Sequence, residues 1–83
     1  MLLKNKITTE ELAKVVDGWT RLAMTMTPAY QWEKRLDYSI PTQKYRVQKR
    51  RLGEGLEWQE ACLTPNPEEA VMAYNSIQDG VSC

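Results

Sequence analysis

The residues best suited to chemistry lie in the stretch Tyr45–Trp58, YRVQKRRLGEGLEW. Arg46, Lys49, Arg50 and Arg51 run into a glycine-bracketed turn, with Gln48 among them and Trp58 after it. Cations at this spacing can neutralise phosphates or pair with carboxylates, and Gln48 can hydrogen-bond to either partner. Arg35, in the preceding alternating segment, adds a further guanidinium. The candidate binding residues are therefore Arg35, Arg46, Gln48, Lys49, Arg50 and Arg51. Two uses follow from them: a docking edge for an acidic protein surface, or a grip on nucleic acid.

Catalytic chemistry finds little support. The chain has no histidine, so the commonest general base and transition-metal ligand is missing. Cys62 stands in an apolar stretch and Cys83 at the last position, which gives no zinc spacing. Cys62 reads as a small core residue. Neither GxxxxGK[ST] nor GxGxxG occurs, and Gly53-Glu54-Gly55 is too short to cradle a phosphate. Ser39, Ser76 and Ser82 lack a candidate base, and no pair of acids sits in an apolar setting that would tune one of them. The expectation is a protein that is not an enzyme, with no metal and no cofactor.

Composition narrows the partners. The chain has 83 residues, with Lys plus Arg 11 and Asp plus Glu 11, so its net charge is zero. A dedicated polyanion binder usually carries a basic excess, and a nucleic-acid mimic an acidic one. A neutral surface has little charge repulsion, which is compatible with a homodimer. Two cysteines are too few for a secreted disulfide scaffold. The start MLLKNKITTEE has no apolar run of signal-peptide length, and no segment reaches the length of a membrane span. The expectation is a complete, cytoplasmic gene product that makes no membrane contact. Three Trp and four Tyr without any Phe suit half-buried positions and interfaces, or the filling of a small core.

The elements that must position these residues are legible from period and punctuation. Thr8 and Glu11 form a capping box, with Ile7 and Leu12 at the staple positions. Leu12, Val15, Val16, Trp19, Leu22, Ala23 and Met26 then keep helical spacing, which predicts a helix over 9–25 interrupted only by Gly18. From Tyr30 the period becomes two. Tyr30, Trp32, Leu36, Tyr38 and Ile40 fall on one side, broken by Lys34; Gln31, Glu33, Arg35, Asp37 and Ser39 fall on the other. Pro41–Gln43 turns the chain into a second strand over 44–52, and the glycine turn leads into a third over 56–63. Asn66 caps a last helix, with Pro67 at its first position, Glu68 and Glu69 at its positive end, and Gly80 as its stop. Residues 79–83 read as a flexible polar tail.

The predicted fold is α+β, one domain over 1–83: a helix, a three-stranded antiparallel meander and a helix, both helices on one face of the sheet. Leu12, Val16, Trp19, Tyr45, Val47, Val71 and Tyr74 should share the core. Alternation then places Arg46, Gln48 and Arg50 on the open face and Lys49 and Arg51 on the core side near the turn. Glu57, Gln59 and the acids of the first strand are the expected partners of the open-face arginines.

This order, with TPAY after the first helix and KYRV opening the second strand, resembles the double-stranded-RNA-binding domain. That resemblance implies phosphate contacts from a basic cluster at the start of the last helix. Glu68, Glu69 and Met72 occupy the matching place here, and Pro41–Gln43 is short for the family's minor-groove loop. The hairpin followed by TPNPEEAVMAYN also resembles plant-type DNA-binding domains that read the groove with a three-stranded sheet; this likeness implies DNA contacts from Arg46, Gln48 and Arg50, with Trp58 structural. The reading that remains first is a small adaptor or inhibitor docking on a larger intracellular protein, of the kind common among phage and prophage accessory proteins. The alternative is a nucleic-acid-binding module. Whether acids neutralise the open-face arginines discriminates between them.

Overall fold

A computed structural model describes residues 2–15, 20–53 and 57–79. The order is α1 (Thr9–Val15), β1 (Arg21–Met26), β2 (Trp32–Ser39), β3 (Lys44–Arg51), β4 (Gln59–Thr64) and α2 (Pro67–Ser76). The four strands form one antiparallel sheet in chain order. The domain is α+β, with a fourth strand where the sequence predicts the second half of a helix.

The cause of that difference is a bulge. Register slips between Arg21 and Ala23, so Leu22 and Ala23 are both buried instead of alternating. Two buried neighbours followed by Met26 imitate helical spacing in a segment that is extended. Without β1, β2 would present a bare edge; pairing with it supplies the hydrogen bonds of a complete ladder. Val16, Gly18 and Trp19 of the predicted helix lie outside the described residues, as does Gly80.

Both helix starts follow their local chemistry. The Glu11 amide donates to Thr8 Oγ1 at 3.1 Å, and the Thr8 amide donates to Glu11 Oε1 at 3.2 Å, closing the capping box. Ile7 and Leu12 are both buried, as a staple requires. At α2 the Glu68 amide donates to Asn66 Oδ1 at 2.9 Å.

One core collects Ile7 and Leu12, Leu22 and Ala23, Trp32 and Leu36, Val47, and Ala70, Val71, Tyr74 and Ile77, with Tyr45 packed at its margin. From β2 and β3 it takes alternate residues, so one sheet face is consumed and the other is not. Tyr30 and Ile40, predicted to extend the apolar row of β2, lie in the flanking turns and are exposed.

Lys34, the break in that row, is fully buried. Its ammonium donates to the carbonyls of Asn5 at 2.6 Å, Tyr74 at 2.8 Å and Ile77 at 3.2 Å, and lies 4.3 Å from the centre of the Tyr74 ring. A strand lysine therefore closes the C-terminal end of α2, where carbonyls lack helical partners.

Candidate interaction surface

The sheet face turned away from the core is built by register. Glu33 stands opposite Arg50, Arg35 opposite Gln48, and Asp37 opposite Arg46. Gln48 in turn faces Glu60, and Arg46 faces Leu63. Alternating signs along β2 and cations along β3 thus meet as cross-strand pairs.

The pairs are made. Arg50 binds Glu33. Arg21 makes a two-pronged contact with Asp37, Nε to Oδ1 at 2.9 Å and Nη2 to Oδ2 at 3.3 Å. Arg35 Nε donates to Gln48 Oε1 at 2.7 Å and lies 3.9 Å from Asp37. Arg46 is 3.2 Å from Glu60. The Arg46 partner is therefore Glu60, where the sequence points to Glu57 and Gln59. Hydrogen bonding to Asp37 raises the pKa of Arg21, whereas burial, with Arg21 nearby, lowers that of Arg35; both remain cations.

Trp58 belongs to this lattice. The Arg35 guanidinium lies 4.0 Å from its ring centre and that of Arg50 4.7 Å, so the indole spans the β2 and β3 rows. Leu63, on the same face, is 46% exposed. At the β2–β3 turn an open depression of about 350 Å³ is lined by Asp37, Tyr38, Ile40, Pro41 and Arg46.

Lys49 and Arg51 fall on the other side, as alternation requires. Their charged ends lie 5.2 and 5.8 Å from the centre of the Trp32 ring. The six predicted binding residues are thus split: Arg35, Arg46, Gln48 and Arg50 share the open face, while Lys49 and Arg51 flank a core tryptophan at the sheet's end. The turn at Gly53 has the positive φ, 86°, expected of its glycine; residues 54–56 lie outside the described ones.

The sequence pattern puts Tyr30 in the apolar row of β2 and Asp79 in the tail, and assigns neither a role in a site. Asp79, placed by sequence in the tail, is bound to the β1–β2 loop. Its carboxylate accepts from the Thr27 hydroxyl, from the Ala29 amide at 2.7 Å and from the Gln31 amide at 3.4 Å. Burial alone would raise its pKa, but these bonds and the charge of Lys34 leave it lowered. No spacing rule could have revealed a contact between residues so far apart in the chain.

Among the described residues no cluster of His, Cys, Asp and Glu could hold a metal ion, and no helix is long and apolar enough to cross a membrane. No known protein family, curated protein or solved structure matches this chain.

Proposed function

We propose that the protein is a non-enzymatic binding module that docks on a larger protein through its open sheet face and the margin of the basic hairpin. The observation that carries this reading is the pairing of Arg21, Arg35, Arg46 and Arg50 with Asp37, Gln48, Glu60 and Glu33. A phosphate approaching this face meets carboxylates beside every one of these guanidinium groups. A folded partner surface is a better match, because charges of both signs and the apolar Leu63 can each find a counterpart. Glu68 and Glu69 at the start of α2 point the same way, since acid at a helix N-terminus repels phosphate.

Two measurements test the proposal. Duplex DNA and RNA are titrated at two salt concentrations; no submicromolar binding is expected at physiological salt. Submicromolar affinity with a log–log salt slope near about −2.7, the value for roughly three phosphate contacts, would instead assign the face to nucleic acid. In parallel, a complex captured from a host lysate after nuclease treatment is crosslinked. The crosslinks should map to β2, β3 and β4, and Leu63→Asp should weaken the complex by at least about tenfold. Crosslinks confined to α1 and α2 would overturn the assignment of the face.

A further inference from the structure

Residues 2–6 lie outside both helices and all four strands, yet they fasten to β1, β2 and α2. The Leu2 amide donates to the Leu22 carbonyl at 2.9 Å, and the Met24 amide donates to the Leu2 carbonyl at 3.0 Å. These two bonds make a single parallel bridge on the outer edge of β1. The Tyr74 phenol donates to the Lys4 carbonyl at 2.9 Å, and the Lys34 ammonium to the Asn5 carbonyl at 2.6 Å. Asn5 Nδ2 donates to Gln78 Oε1 at 3.3 Å.

Burial adds little to this attachment. Leu2 and Asn5 are half-buried, while Leu3, Lys4 and Lys6 are exposed, Leu3 at 69%. Each hydrogen bond is exchanged for one with water when the segment leaves, so its net worth is small. The Lys4–Glu11 ion pair is at the surface and adds little more. Asn5 Oδ1 is buried with no donor among the described residues, a cost that the closed segment carries and hydration removes.

Ile7 is the reverse case. Its side chain is 3% exposed, its amide donates to Asn75 Oδ1 at 2.8 Å, and its carbonyl accepts from Asn75 Nδ2 at 2.8 Å. Polar fastening therefore gives way to a buried clamp between Lys6 and Ile7. Lys34 also keeps two acceptors, the carbonyls of Tyr74 and Ile77, when Asn5 departs. Its charge is not stranded by the loss of the segment.

We propose that residues 2–6 form a latch that opens as one unit up to Ile7 while the sheet and α2 stay folded. Closed, Leu2 blunts the outer edge of β1. Open, the latch uncovers the Leu22 carbonyl and the Met24 amide, and that edge becomes free to pair with an extended segment. The device is independent of the docking reading above, which concerns the open face of the sheet.

Amide hydrogen exchange on the full chain tests the latch. In the parent, the Met24 amide should be at least about tenfold less protected than the amides at the centre of β2 and β3. Its exchange should hardly respond to low urea, because opening a short segment exposes little surface. Equal protection, or the steep urea dependence of global unfolding, would overturn the proposal. Tyr74→Phe then removes the donor to Lys4 and keeps the ring. Tyr74 and Met24 bond to different residues of the segment, so only a segment that opens as a unit couples them. The variant should speed Met24 exchange by about three- to tenfold, still with little response to urea. An unchanged Met24 rate would mean that Leu2 frays alone, and would overturn the proposal. The urea measurement on the parent decides the matter even if the variant folds poorly.

Discussion

Lys34 shows how one side chain can join elements that share no sequence neighbourhood. Its three acceptors come from the N-terminal segment and from the end of α2, so the ammonium fastens both to the middle of the sheet. Burial, with Lys6 adding and Asp79 opposing, lowers its pKa from 10.5 to about 8. Between about pH 8 and 10.5 the unfolded chain therefore binds more protons than the folded one, and stability rises with pH across that window. The full rise is on the order of 3 kcal/mol, from about 1.4 kcal/mol per pKa unit. Burial of the Tyr74 phenol raises its pKa above the ordinary value of 10 and reverses the trend above about pH 10. Chemical denaturation at pH 7.5, 8.5 and 9.5 should show the rise in the parent and no rise in Lys34→Met, because burial raises the pKa of the Cys62 thiol and that group alone makes stability fall with pH near 9. The Met variant sheds the charge but leaves the carbonyls unpaired, so its stability at neutral pH reflects two opposing terms.

At the scale of elements, β1 is the instructive case, because its composition suits a helix and its position demands a strand. Thr25 pairs with Lys34 of β2 and is half-buried. In a strand, Thr25→Val should keep or improve stability, and Thr25→Ala should cost up to about 1 kcal/mol. A helix would give the opposite order, since alanine is the better helix former. Thermal melts of the two variants decide by sign alone. The capping box of α1 was legible from its residues, and Thr8→Ala should cost about 0.5–2 kcal/mol. The two cases differ because a cap is closed by residues three apart, whereas a strand is closed by another strand.

For the whole molecule, one small core sets the margin. Leu36 lies at 0% exposure in the second strand of four, while Ile40, on the same side of the predicted alternation, is 59% exposed. Leu36→Ala should cost about 2–5 kcal/mol, a large share of the roughly 4–12 kcal/mol expected for a chain of this length. Ile40→Ala should leave the melt almost unchanged, and calorimetry on the pair checks the contrast. The sequence by itself determined the two helix starts, the strands β2 and β3, the split of Lys49 and Arg51 from Arg46 and Arg50, and the absence of histidine chemistry. Each of these depends on residue type and on spacing within one turn or one strand. Only the tertiary structure decided that residues 21–26 are a strand, that Lys34 is buried, that Glu60 meets Arg46, and that Asp79 fixes the loop under Tyr30. Those outcomes depend on hydrogen bonds and desolvation between segments distant in the chain, and a local pattern carries no record of which distant groups will be at hand.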